Sequence, residues 1–228
     1  MDSRSTCQVE LGAWVQAALV LKRRNLTIVI HNESGFCYTE GVSESWAGFD
    51  DWFTRLATEP LPGGVAAAAL AAAMGAALVA KVSRLSLKRG EIADSDRDLW
   101  RVALIVSQKL QAHLRTLAKG DEVAYCAVLK TKALPVQART RKQAWQLATD
   151  IPIQVAETCH QLLHEVPGLL VVCQPALRVD LQIGCWLLAN GLEAGLLAAE
   201  ANLQAWGDEA EARPFRVRMK ALQEDRID

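Results

Sequence analysis

Several features typical of particular protein classes are missing from this 228-residue sequence. The formal net charge is only −1, so there is no basic excess of the kind that nucleic-acid binding requires. The six cysteines form no CxxC pair, which excludes zinc-ribbon spacing. GxGxxG and P-loop motifs are absent, and no Ser-His-Asp or Cys-His arrangement can be argued from spacing. We therefore expect no nucleic-acid partner and no metal at the functional site.

We expect neither a membrane span nor a secretory leader. The uncharged run from Val65 to Ala80 has 16 residues, whereas a membrane span needs about 20. The first ten residues, MDSRSTCQVE, carry acids and no clean basic segment, which predicts that no signal peptide is present. Scattered single thiols are typical of reduced core residues. These observations predict a cytoplasmic protein without a membrane partner.

The chain divides into a short N-terminal extension, residues 1–47, and a helical domain, residues 48–228. Within the extension, LTIVIHN (Leu26–Asn32) has the strongest strand pattern. The following ESGFCYTEG can return as a second strand. The preceding LGAWVQAALVLKRRN can form a short helix with one apolar face. We expect the extension to contribute a β-hairpin.

Apolar residues at helical spacing dominate the rest of the chain. The predicted helices are 49–58, a small-residue helix from Val65, 94–118, 122–132, 140–147, 155–166 and 180–206, and several of them end before a proline. No internal repeat or linker interrupts them. The predicted fold class is all-α, a helical bundle.

The most informative stretch is ATEPLPGGVAAAALAAAMGAALVAKVSRLSLKRG, residues 57–90. Its small side chains allow neighbouring helix backbones to approach closely. Gly75 inside this helix costs about 1 kcal/mol relative to alanine, which predicts a close contact at that position. The Gly63–Gly64 turn can let a ligand approach backbone N–H groups, or it can be only a tight turn before a helix.

The order of motifs resembles the cyclodeaminase/cyclohydrolase family, which comprises the C-terminal domain of formiminotransferase-cyclodeaminase and stand-alone methenyltetrahydrofolate cyclohydrolases. PLPGGVAAAALAAAMGAALVAKVSRLS matches the family's PTPGGG turn and small-residue helix without a gap. GDEVAYCAVLKTKALP, ATDIPI and RVDLQIG follow in the family's order, and Asn202 fits an asparagine of the last helix. The resemblance covers roughly residues 49–206.

The departures fall where polar pocket contacts are expected. Val65 and Ala66 replace the third glycine of the turn and the small residue after it. Lys81 and Arg84 replace a methionine and an asparagine, and KRGEI lacks the tyrosine of the family's basic segment. An earlier asparagine of the last helix is Ala198. The scaffold is retained while the site is altered.

The resemblance implies a folate enzyme of one-carbon metabolism and a homodimer. The preferred activity is methenyltetrahydrofolate cyclohydrolase, with weakened turnover. The alternatives are a catalytically silent member that acts as a binding or assembly partner, and a formiminotetrahydrofolate cyclodeaminase. No cofactor beyond the tetrahydrofolate substrate is expected, and an anionic ligand is the other candidate. The implied catalytic residues are Asp121 and Asp180, and the implied substrate-binding residues are Pro62, Gly63, Gly64, Arg84, Ser86, Lys88, Arg89 and Tyr125.

Several of these residues also have a purely structural interpretation. Asp121 and Asp180 can each cap a helix. Lys88 and Arg89 can form a solvated basic helix end, which the helix dipole favours. His160 and His164 have the i, i+4 spacing of a metal pair but lack the HExxH order, and an ordinary helix face is the preferred interpretation.

Overall fold

The computed structural model describes three N-terminal strands, at residues 6–11, 15–22 and 25–31, together with residues 47–88 and 92–225. The described chain forms two compact units, residues 1–59 and 60–228. The boundary between residues 47 and 48 stays a prediction, since the helix that begins at Ala47 belongs to the first unit.

In the first unit, the described residues form an antiparallel sheet and one helix. The strands β1 (Thr6–Leu11), β2 (Val15–Lys22) and β3 (Asn25–His31) pair in the order β1-β2-β3. Val20 of β2 is opposite Thr6 on one side and Thr27 on the other. Helix α1 (Ala47–Thr58) matches the predicted amphipathic helix.

The strand prediction at Leu26 is confirmed, but the helix predicted before it is wrong. Residues 15–22 form the central strand, and both of its edges pair with neighbours. A short apolar run such as VQAALVLK is compatible with the period of a helix and with that of a strand. Pairing with β1 and β3 therefore determines that it is a strand. The second strand predicted in ESGFCYTEG lies outside the described residues.

The second unit confirms the all-α helical bundle. Its helices are α2 (Gly64–Leu87), α3 (Asp94–Thr131), α4 (Arg139–Val172), α5 (Pro175–Trp206) and α6 (Glu209–Glu224). Helices α2 to α5 form a closed ring of neighbours, in which α2 packs against α3 and α5, and α4 packs against the same two helices. Helix α6 packs against α4.

Three predicted helix ends or interruptions do not occur. Helix α3 continues through Gly120, and α4 continues through Pro152 and Pro167. A proline inside a helix costs about 3 kcal/mol. Pro152 nevertheless lies between the buried Ile151 and Ile153, so burial of the surrounding apolar face outweighs this local cost.

The small-residue helix α2 lies in the core, and it packs closely as expected. A methyl group added at Gly75 would lie 2.7 Å from the carbonyl oxygen of Gly184 on α5. Both α2 and α5 are long and apolar enough to cross a membrane by length and composition, a test that buried core helices also pass. Half of the apolar 18-residue stretch of α2 is buried within the bundle.

We expect Gly75→Ala to lower the free energy of unfolding by about 1–3 kcal/mol, because overpacking against backbone outweighs the gain in helix propensity. Gly168→Ala is the matched control. Its new methyl group would meet only Leu99, at 3.8 Å, so the higher helix propensity of alanine should stabilise the protein. Urea unfolding of both variants measures the difference, and equal stabilisation by both substitutions would contradict the close-packing role.

Candidate functional site

The turn before α2 forms one end of the candidate site. Pro62 is buried, and Gly63 is the N-cap of α2 in an extended conformation (φ −97°, ψ −174°). No side chain from within the turn caps this helix end. The first backbone N–H groups of α2 therefore need acceptors from elsewhere.

Asp121 supplies such an acceptor from the neighbouring helix α3. Its carboxylate accepts a hydrogen bond from the backbone N–H of Ala66. A methyl group built on Gly63 would lie 3.7 Å from Asp121 Oδ2, so the carboxylate lies directly against the glycine turn. The predicted cap at the start of a helix after Gly120 is wrong, because α3 continues through Asp121; the carboxylate instead accepts from the N-terminal end of α2.

Asp121 also has an altered acidity. Burial is the main cause that raises its pKa above the usual carboxyl value, and the nearby charge of Glu122 raises it further. The hydrogen bond from Ala66 opposes this shift, since it favours the ionised form. A carboxyl group with a raised pKa at the wall of a cavity is suited to proton transfer.

The cavity beside Asp121 has a volume of about 540 Å³ and lies among α2, α3, α4 and α5. Tyr125 and Val128 line it from α3, and Trp145 lines it from α4. On the α5 side lies Asn202, which donates a 2.6 Å hydrogen bond from Nδ2 to the carbonyl oxygen of Ala148. The cavity is therefore mostly apolar, and the polar side-chain groups of its lining residues are the Asp121 carboxylate, the oriented Asn202 amide, the Tyr125 hydroxyl and the Trp145 N–H.

The predicted site residues separate into two groups in the structure. Pro62, Gly63, Gly64, Asp121 and Tyr125 lie together at the N-terminal end of α2, and all of them except Pro62 line the cavity. Val65, one of the replaced motif positions, also lines it. Arg84, Ser86 and Lys88 lie at the opposite end of α2, and Asp180 of α5 contacts α2 toward that end. Arg89 lies outside the described residues.

Asp180 is within α5 and does not cap it. Its Oδ2 lies 2.7 Å from Lys81 Nζ, and Lys81 is about 26 Å along α2 from Gly64 at the helical rise of about 1.5 Å per residue. Arg84 is exposed about one turn further on. Within one protomer, Asp180 and Arg84 therefore cannot act on the same atom as Asp121.

Ser86 and Lys88 complete the second group. Ser86 is buried, and its hydroxyl has no hydrogen-bond partner among the described residues. Lys88 is the exposed C-cap of α2. Neither residue lines the cavity beside Asp121.

The sequence interpretation did not include Trp145 in the site, and it matched Asn202 to a motif without giving it a role. Trp145 lies one helical turn before the ATDIPI motif, so it occupies the same helix face as Ala148. The three-residue spacing between Trp145 and Ala148 is the sequence signal that could have placed Trp145 in the site. This signal is useful only if α4 is known to face the glycine turn, and only the tertiary packing shows that.

Comparisons with known proteins agree with this architecture. A methenyltetrahydrofolate cyclohydrolase from Methylorubrum extorquens is 32% identical over 112 residues, 46% of this chain and 53% of that protein. A formimidoyltransferase-cyclodeaminase from Sus scrofa is 28% identical over 169 residues, 71% of this chain and 31% of that protein. The matches thus span about half, or less, of these relatives' lengths.

The fold has a solved counterpart. The crystal structure of a formiminotetrahydrofolate cyclodeaminase from Thermotoga maritima superimposes with a TM-score of 0.69 at 21% identity, covering 75% of this chain and 86% of that one. The sequence profile of the formiminotransferase-cyclodeaminase family matches residues 50–221, which include all of α2 to α5. The chain therefore belongs to the formiminotransferase-cyclodeaminase family.

Proposed function

We propose that this protein is a methenyltetrahydrofolate cyclohydrolase with weakened turnover. The observation that carries the proposal is the Asp121 carboxylate, held against the glycine turn at the wall of a mostly apolar cavity. The rings of Tyr125 and Trp145 offer apolar surface for a flat pterin. The relative from Methylorubrum extorquens carries the same activity in its name.

The proposed reaction needs a proton acceptor beside an electrophilic carbon. Ionised Asp121 stabilises the cationic methenyl ring and takes a proton from the attacking water, which forms a C–O bond at the methenyl carbon. The carbon–nitrogen bond of the neutral adduct then breaks, and the released ring nitrogen receives a proton as the hydroxyl becomes the formyl carbonyl. The sum is methenyltetrahydrofolate plus water giving 10-formyltetrahydrofolate and one proton. We expect no cofactor beyond the folate.

A silent or repurposed member is the second candidate, and Val65 favours it. This β-branched residue lines the cavity at a position where the family turn has a glycine. The anionic-ligand hypothesis loses its support within one protomer, because Arg84 does not line the cavity. A cyclodeaminase is the remaining alternative within the same family, and it would use the same cavity for a formimino substrate.

The deciding experiment follows the absorbance of methenyltetrahydrofolate with purified protein against the buffer rate. Acceleration that is lost in Asp121→Asn supports the cyclohydrolase. Release of ammonia from formiminotetrahydrofolate without methenyl hydrolysis would instead support the cyclodeaminase. Equal rates with and without protein in both assays would contradict an enzymatic function and favour the silent member.

We also propose a homodimer in the cytoplasm. Val179, Ile183 and Trp186 are exposed apolar side chains at i, i+4 and i+7 along one face of α5, and Leu197 lies on the same face beyond the polar Asn190 and Glu193. Such a stripe is typical of a surface that another helix covers. The mass in solution should be near twice 24.9 kDa, and light scattering after gel filtration measures it.

The matched pair for this prediction is Trp186→Glu and Val217→Glu. Both positions are about two-thirds exposed, but Val217 lies on α6. We expect only Trp186→Glu to shift the mass toward 24.9 kDa. A wild-type monomer at micromolar concentration would contradict the proposal.

A further inference from the structure

Two histidines and an aspartate meet on the surface away from the folate cavity. His160 and His164 lie one turn apart on α4, and Asp225 directly follows α6. Among the described residues, these three form the one group of metal-ligating side chains whose ligand atoms all lie within 4.8 Å of one another. The sequence shows the histidine pair alone, and only the packing of α6 on α4 adds the carboxylate.

The separations fit a single small cation. The Nε2 atoms of His160 and His164 are 3.1 Å apart, and Asp225 Oδ2 lies 3.6 Å and 3.2 Å from them, respectively. A tetrahedral zinc ion holds nitrogen and oxygen ligands at about 2.0–2.2 Å, which places neighbouring ligand atoms about 3.3–3.5 Å apart. An ion can therefore contact all three atoms after shifts of a few tenths of an ångström.

We propose that His160, His164 and Asp225 bind a divalent transition-metal ion, with Zn²⁺ as the best fit. Imidazole nitrogens favour zinc, cobalt and nickel, whereas magnesium and calcium favour all-oxygen sites. Three protein ligands leave at least one position for water.

Nearby thiols do not offer a better set of ligands. Cys159 precedes His160 in the chain, but its side chain is fully buried against α5, and burial raises its pKa to about 12. Cys185 lines a groove next to His160, where its thiol donates to the carbonyl oxygen of Leu181, and burial raises its pKa as well. Metal binding requires the thiolate, so both cysteines are weak competitors.

The ion would fasten α6 to the bundle. Arg218 of α6 already pairs with Glu157 and Asp150 of α4, at 2.8 Å from Glu157. The histidines lie one and two turns further along α4 than Glu157, next to the end of α6. Lys142 and Gln146 of α4 also contact Glu211 near the start of α6. A metal at the histidines adds an attachment at the C-terminal end of the helix. This role is independent of the folate reaction.

A proton can hold the same three residues together without a metal. His160 Nε2 lies 2.9 Å from the carbonyl oxygen of Asp225, so a proton on that nitrogen can be donated to the backbone. The two arrangements predict different responses to added zinc, because a proton-bridged cluster needs no ion.

The test is calorimetric titration of the chelator-treated, full-length protein with ZnCl₂. We expect one tight equivalent in the wild type, and an affinity at least about tenfold weaker in His164→Ala and Asp225→Asn, since even outer-shell partners of metal sites contribute tenfold or more. His113→Ala is the matched control, because His113 is an exposed histidine of α3 outside this cluster. It should bind as the wild type does.

Thermal unfolding gives a second readout. Zinc at about 100 times its Kd should raise the Tm by about 5–10 °C in the wild type and in Asp121→Asn, but not in His164→Ala. Circular dichroism verifies that each variant is folded, which is expected because His164 and Asp225 are both exposed. Absence of a zinc equivalent in the wild type would overturn the proposal. Zinc binding that both His164→Ala and Asp225→Asn retain would also overturn it. A sulfur-to-metal charge-transfer band in the absorption spectrum of the cobalt-loaded protein would do the same.

Discussion

Asp121→Asn is expected to lower kcat for methenyl hydrolysis by about 10²–10⁴-fold, the usual contribution of a positioned general acid or base. The asparagine oxygen can still accept the hydrogen bond from Ala66, so the end of α2 stays capped. What disappears is the negative charge and the ability to take a proton. The measurement is the initial rate of absorbance loss at saturating substrate, compared with the wild type.

Asp121→Ala separates catalysis from capping. It removes the acceptor as well as the charge, and the loss of a helix cap typically costs about 1 kcal/mol. For a chain of this size that corresponds to a fall in Tm of about 2–4 °C. Asp121→Asn should keep the wild-type Tm or exceed it at neutral pH, because it removes a partly buried charge. If Asp121→Asn turns over as fast as the wild type, the residue is only a cap.

The raised pKa of Asp121 fixes the sign of two pH effects. Burial is its main cause, and it makes the folded protein bind a proton more tightly than the unfolded chain does. The contribution of Asp121 to stability is therefore fully present below its unfolded pKa and is lost as the pH rises through its folded pKa. If the ionised form is the base, kcat/KM rises with pH over the same interval. Asp121→Asn should abolish both slopes.

The sequence was sufficient to locate the cavity but not to determine its composition. The glycine turn, Asp121 and Tyr125 could be identified because the family motifs have a fixed order. The separation of Asp180 from Asp121 could not be predicted from the sequence, because it depends on the lengths of α2 and α5 and on where these helices pack. Both aspartates lie within recognisable motifs, yet Asp180 pairs with Lys81, in the part of α2 that is remote from the glycine turn.

The sequence also failed to predict that α3 and α4 continue without a break. Pro152 and Gly120 are local signals for an end, and the sequence gives no local measure of how much apolar surface a continued helix buries. The surface residue Asp225 is a similar case, since no residue near it in the sequence indicates that it lies beside the histidines of α4. Contacts between distant segments decide each case, and a single sequence does not record them.

The second large effect is expected from restoring the glycine turn. Val65 lines the cavity beside Asp121, and Ala66 is 1% exposed and supplies the N–H that bonds to this carboxylate. In Val65→Gly/Ala66→Ser, the cavity loses a branched side chain, and a hydroxyl is added at the buried position that follows it. We expect kcat/KM for methenyltetrahydrofolate to increase by about 10- to 200-fold, the range by which small apolar groups alter discrimination in a pocket.

Adding Arg84→Asn to this variant tests whether Arg84 is too far from the cavity to affect the reaction. The guanidinium lies about 30 Å along α2 from Gly64 at about 1.5 Å per residue, so a repulsion between Arg84 and the methenyl cation cannot operate within one protomer. The triple variant Val65→Gly/Ala66→Ser/Arg84→Asn should therefore match the double variant. A further gain from Arg84→Asn would show that Arg84 acts at the cavity, which requires the arginine of a second copy. A wild type that already turns over at about 10 per second would contradict the blocked-cavity explanation, because Val65 would then not impede the reaction.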